Sequence, residues 1–148
     1  MNTMNIKNVL LISLASVGGF ITSLLGGWDK LLKGLCICMI IDFATGLILA
    51  MVFHKSKKTQ NGCASSSEVY KGLAKKIGIL FFIAMCVVVD NATNTHYIRN
   101  TAILFFLGNE GLSIIENTGQ MGVPYPEFVK RALEVLTKKG GTDDGKNQ

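Results

Sequence analysis

Residues 34–53, GLCICMIIDFATGLILAMVF, form a run of twenty with a single charge, Asp42. At about 1.5 Å of rise per residue, a helix of this length reaches about 30 Å, the thickness of a bilayer's hydrocarbon core. No polar face runs along it, so it reads as a membrane helix. A carboxylate at the centre of such a helix costs about 2.5–3.5 kcal/mol on insertion scales, and Asp42 is therefore expected to face a partner, water or another subunit rather than lipid. Cys38, Asp42, Gly46 and Ala50 recur every four residues and share a face. Small residues on such a face let helices approach closely in a membrane.

Three further runs accompany it. Residues 9–28 carry no charge. A signal peptide has a shorter apolar core, and a second span follows almost at once, so this run reads as a retained helix. Ala15, Gly19, Ser23 and Gly27 give it a small-residue face, suited to packing either within or between subunits. Trp28 stands where an interfacial aromatic belongs. Ile77–Val89 is short, but extended over 72–92 it reaches spanning length, with Lys75 and Lys76 snorkelling to the interface and Asp90 closing its apolar part. Residues 98–117 hold Arg99, Asn109, Glu110 and Glu116. They form either a fourth span, with Glu110 in a protein-lined or wet setting, or an amphipathic helix lying at the interface or packed on the other helices.

Charge arbitrates between the two. The chain carries fifteen Lys and Arg against ten Asp and Glu. With four spans and the N-terminus inside, the inside holds Lys7, the middle-loop residues Lys55, Lys57, Lys58, Lys71, Lys75 and Lys76, and the five basic residues of the tail, or twelve of the fifteen. Three spans would leave the basic tail outside, against the positive-inside tendency. The expected fold is thus an all-α integral membrane protein of three to four transmembrane helices, four favoured, with both termini cytoplasmic. Residues 1–123 make the transmembrane domain, with spans near 9–28, 34–53, 72–92 and 98–117. Residues 124–148 make a basic amphipathic helix and a disordered tail, with Val129, Leu133 and Leu136 opposite Lys130, Arg131 and Lys138.

The chemistry on offer is narrow. No HExxH, GxSxG, P-loop or GxGxxG occurs, and Asp90 ends its run rather than facing Asp42 at mid-span, which argues against an intramembrane aspartyl protease. The four cysteines match no zinc or redox spacing. No aromatics interleave the lysines as nucleic-acid binding would require. The reading is of a protein that is not an enzyme and has no metal or cofactor. Asp42, Asp90, Glu110 and Glu116 are left for structural or pore-lining roles.

A resemblance adds what composition cannot. "IIDFATGLILA" (Ile40–Ala50) resembles the Asp…Thr-Gly…Ala pattern of the bacteriophage holins grouped with the clostridial toxin-secretion holins. The serine-bearing loop and Lys-Gly…Lys-Lys element of that family are matched by Ser65–Ser67, Lys71, Gly72, Lys75 and Lys76, and its run-closing aspartate by Asp90. "NEGLSIIENTGQMGVPYPEFVKRAL" (Asn109–Leu133) is similar to its Glu…Ser…Glu-Asn segment and proline-bearing tail. The resemblance covers roughly residues 28–137. It implies homo-oligomers in the lipids of a bacterial host's cytoplasmic membrane, which form lesions that release an endolysin or a toxin and time lysis. An antiholin partner is compatible with it. The family is often drawn with three spans, against the four counted from charge. Two other readings of the residues stay open: a small ion-channel or transporter subunit, and a membrane anchor for a soluble partner. In the holin reading the small-residue faces join subunits, while Asp42 and Glu110 line a lesion wall.

Overall fold

The computed structural model describes residues 6–55, 63–129 and 131. Four helices follow one another: α1 (Ile6–Leu24), α2 (Lys30–Met51), α3 (Ser66–Thr93) and α4 (Ile98–Gln120). Among the described residues there is no strand. Helix α1 stops short of Trp28 because Gly26 and Gly27 take φ of +80° and +102°, which favours glycine. Their amides turn back to the carbonyls of Ser23 (3.1 Å) and Thr22 (2.8 Å). Gly27 therefore stands in the turn, not on the helical face of Ala15, Gly19 and Ser23. Asp29 then caps α2, its Oδ1 accepting the Leu32 N–H at 2.8 Å. Helix α3 starts six residues earlier than the apolar pattern indicates, so its first turns are polar.

Three of the helices share a core. Leu32, Leu35 and Met39 of α2 meet Ile79 and Ile83 of α3 and Ile103 of α4, with Phe106 and Leu107 packed against them. Phe82 and Phe106 meet edge-on at 5.6 Å. The inward positions alternate in steps of three and four. They are 32, 35, 39, 42, 46 and 49 in α2, 76, 79, 83, 86 and 90 in α3, and 99, 103, 106, 110, 113 and 117 in α4. That spacing is the seam of left-handed helix packing. Helices α2 and α4 start at the same end, where Arg99 reaches Asp29, and α3 runs antiparallel to both. Helix α4 packs most extensively on α2 and next on α3, while α2 and α3 touch each other little.

Helix α1 stands apart. None of its residues is buried, and a Cβ added at Gly18 or Gly19 would meet nothing within 4 Å. Two of its hydroxyls turn back on the helix, Ser16 donating to the Ile12 carbonyl (2.8 Å) and Thr22 to that of Gly19 (2.9 Å). A helix with its backbone satisfied internally and its apolar surface bare suits lipid. Helices α1, α2 and α3 are each long and apolar enough to cross a membrane, and the protein is membrane-integral. Helix α4 has the length of a span but is not among the three.

The C-terminal amphipathic helix expected from the sequence begins with a helical turn at Glu127, and most of it lies outside the described residues, as do Lys57 and Lys58. Ahead of that turn Tyr125 folds back on α4. Its hydroxyl bonds the Thr118 hydroxyl and donates to the Ile115 carbonyl at 2.8 Å, and its ring covers Gly119.

Candidate functional site

Two polar layers interrupt the apolar seam. The first sits at the end of the bundle where α2 and α4 begin. Asp90, at the last turn of α3, accepts the Ile98 (3.1 Å) and Arg99 (2.9 Å) backbone N–H groups and the Thr95 hydroxyl (2.6 Å). A carboxylate there satisfies amides left open by the first turn of α4. The Arg99 side chain crosses to the α1–α2 turn. Its Nε donates to the Leu25 carbonyl (2.6 Å), Nη2 to that of Gly27 (3.2 Å) and Nη1 to Asp29 (2.6 Å). A Cβ on Gly26 would lie 2.8 Å from Arg99 Nε, so the clamp needs glycine twice over, for space and for φ. The guanidinium, helped by the Leu32 amide, holds the Asp29 carboxyl below the usual carboxylate range against the opposing pull of burial.

The second layer lies about 18 Å farther along α2 and α4, near mid-helix. Lys76 of α3 is held between two carboxylates. Its Nζ donates to Asp42 Oδ2 at 2.8 Å and to Glu110 Oε2. The three side chains are only 12, 14 and 9% exposed, in the order Lys76, Asp42, Glu110. Asn117 completes the layer, its Nδ2 donating to Asp42 Oδ1 and Thr45 Oγ1, both at 3.2 Å. Among the described residues, no buried side-chain nitrogen or oxygen lacks a partner. This arrangement ties three helices together at the depth where charge is most costly alone.

Beyond the second layer the bundle opens. A crevice of about 460 Å³ runs between α2, α3 and α4, with Asp42, Lys76 and Glu110 in its lining. Gly46, Ala50 and Gly72 keep it wide, and Ser113, Glu116 and Asn117 give it polar surface. In the other direction Leu35, Met39, Ile83 and Ile103 close the core. The polar space thus reaches the ion layer from one end only.

The residues singled out in the sequence fall into three groups. Asp42, Gly46, Ala50 and Glu110 meet inside one subunit. Glu116 lines the crevice beside them, and Asp90 is enclosed in the first layer. A Cβ on Gly46 would touch Asn117 of α4 at 3.6 Å, so the small-residue face of α2 packs within the subunit. Ala15, Gly19 and Ser23 are exposed on α1. Lys55, Lys71 and Lys75 are exposed near the crevice end. Lys76 departs from its expected place. It does not snorkel outward with Lys75 but turns inward as the counter-ion of the buried acids. The seam explains this, because Lys76 stands three residues before Ile79 on the line that continues through Ile83, Cys86 and Asp90. That spacing is the signal in the sequence for Lys76. Arg99 is legible in the same way, four residues before Ile103. The roles of Asn117 and Thr45 have no such signal.

Comparison with known proteins identifies the family of the chain. The sequence profile of the bacteriophage holin family matches residues 19–138. An uncharacterised protein of Listeria monocytogenes is 32% identical over 140 residues, covering 94% of each chain. An uncharacterised 14.9 kDa protein from the nagH 3' region of Clostridium perfringens is 33% identical over 137 residues, 91% of this chain and 98% of that one. A Bacillus subtilis protein, YqxH, also uncharacterised, is 32% identical over 111 residues and 74% of each chain. No solved structure matches. The chain belongs to the bacteriophage holin family, whose members are membrane proteins and not enzymes.

Proposed function

We propose that this chain accumulates in the cytoplasmic membrane of a bacterial host, oligomerises there and opens lesions that release an endolysin, or in a related setting a toxin, so timing lysis. The family match over residues 19–138 carries this reading. Helix α1 supports the assembly step. It is apolar, exposed along its whole length and carries small residues that would let copies approach closely. Glu110 has its charge partner inside the subunit, so α4 enters the membrane as a fourth span beside α2 and α3, shielded by them rather than by its own apolarity. Four crossings put both termini on one side, and the positive-inside tendency makes that side the cytoplasm, with Lys7, Lys55, Lys71 and Lys75 facing it. In small assemblies Asp42 and Glu110 stay paired with Lys76. In an open lesion the crevice they line joins the wetted wall.

A second reading, a small ion-conducting subunit, has the crevice on its side. Among the described residues one subunit offers no continuous polar path, since the apolar core of Leu35, Met39, Ile83 and Ile103 lies beyond the ion layer. The two readings separate when membrane potential and culture density are followed together after induced expression, with and without a cytoplasmic endolysin. The holin reading expects a delayed, abrupt loss of potential, and lysis only when endolysin is present. Stable potential with no endolysin release, despite membrane insertion, overturns it.

A further inference from the structure

The crevice holds more negative charge than positive. Its lining brings the carboxylates of Asp42, Glu68, Glu110 and Glu116 against the ammonium groups of Lys75 and Lys76. Lys76 is divided between Asp42 and Glu110, and Glu68 is taken at 2.7 Å by Lys71, from outside the lining. Glu116 is half-buried and, among the described residues, pairs with no cation, Lys75 included. It lies six residues beyond Glu110, about 9 Å along α4, between the ion layer and the mouth at Ser65 and Gln120. A half-buried carboxylate inside a bundle is costly without a partner, and the mouth admits one from water. The walls add a second requirement. Leu47, Val69 and Leu112 line the same space, so what fills about 460 Å³ must carry apolar surface as well as charge.

We infer that the crevice binds a small organic cation, a primary ammonium on a short aliphatic body, with the ammonium on Glu116 and the methylenes along Leu47, Val69 and Leu112. The carboxylate selects a cation, and the apolar walls select an organic cation over a bare metal ion. The chain's own charge sharpens the selection, because fifteen Lys and Arg against ten Asp and Glu repel cations from most other surfaces. Lys75 tempers the site, since its ammonium shares the space and opposes a second positive charge. Bound there, the cation bridges α4 to the walls that α2 and α3 contribute and stabilises the folded subunit. The inference rests on the crevice and not on lesion formation, so a chain that fails to lyse cells leaves it standing.

The test titrates butylammonium chloride into the full chain in neutral-detergent micelles and follows the unfolding midpoint. A ligand of the folded state raises the midpoint and saturates, so the half-saturating concentration reads the affinity. Sodium chloride at equal ionic strength lacks the aliphatic body and butanol lacks the charge, and neither should give a saturable rise. Glu116→Gln removes one charge-assisted contact and should raise the half-saturating concentration about tenfold. The chain should still fold, because that carboxylate holds no cation in the subunit. Lys75→Gln should lower the half-saturating concentration about twofold by removing the like charge. Glu127→Gln, the same change outside the crevice lining, should leave it unaltered. Absence of a saturable rise with butylammonium overturns the inference. So does an equal rise with sodium or butanol, an unchanged affinity in Glu116→Gln, or binding that is lost in Lys75→Gln.

Discussion

Helices α1 and α4 invert the usual relation between hydrophobicity and packing. Helix α1 carries one charge, Lys7, and is apolar along its length, yet none of its residues is buried against the rest of the subunit. Helix α4 carries Arg99, Glu110 and Glu116, fails as a span on apolarity, and is the helix on which α2 and α3 both pack. In water this would be a paradox. In a bilayer it follows from the solvent, because lipid tails are as apolar as leucine and give apolar helices no reason to leave them. What drives association there is close packing and polar groups that find partners. Helix α4 supplies the partners, and α1 keeps its surface for whatever it meets in the membrane.

Removing the cation that joins three helices should have the largest effect on this contrast. Lys76→Met takes from Asp42 and Glu110 the cation they share, and the expected loss is about 3–5 kcal/mol, read as a lower unfolding midpoint in micelles. Next comes Arg99→Leu, which strands the Leu25 and Gly27 carbonyls and unpairs a half-exposed Asp29, for about 2–3 kcal/mol by the same measurement. Arg99→Lys should recover little of this, since one ammonium cannot reach three acceptors in a fork. Gly26→Ala combines a left-handed φ with a clash against Arg99 and should cost about 1–3 kcal/mol. At the bottom of the scale, Gly19→Leu should change subunit stability by less than about 0.5 kcal/mol, because nothing lies within 4 Å. The same variant should shorten crosslinking ladders if α1 joins copies. A large stability loss from Gly19→Leu, or none from Lys76→Met, would reverse the roles given to the two helices.

Acidification probes the first polar layer separately. The Asp29 carboxyl sits below its ordinary range in the folded chain because Arg99 stabilises its charged form. Its contribution is therefore complete above the unfolded carboxylate value and disappears as pH falls through the folded one. Between those values the Asp29→Asn chain should show a flatter stability profile than the parent, by titration of the unfolding midpoint.

Much of this architecture is legible in the amino-acid sequence. The run from Gly34 to Phe53 announces a span, and the cost of a bare carboxylate there announces that Asp42 must have a partner. The partner itself is harder to see. Lys76 sits beside Lys75 at the border of an apolar run, where two lysines normally turn outward, and only the three-and-four spacing to Asp90 marks one of them as inward. Gly27 matches the small-residue period of α1, but backbone conformation removes it from the helix, and period alone carries no information about φ. Whether the faces of α1 and α2 pack within or between subunits is open in the sequence, because small residues serve both. For α2, contact between the Gly46 position and Asn117 places that face inside the subunit.

Lys76 matters to the packing of α2, α3 and α4 because it compensates the acids buried with it, whose unpaired charge would outweigh the apolar contacts around them. The direct measurement of this claim compares denaturant midpoints in micelles for Lys76→Met alone and for the triple change Lys76→Met, Asp42→Leu and Glu110→Leu. The prediction is a marked loss for the single change and recovery of most of it in the triple, because the cost comes from uncompensated charge that the triple removes. A single variant as stable as the parent, or a triple as weak as the single, would contradict it.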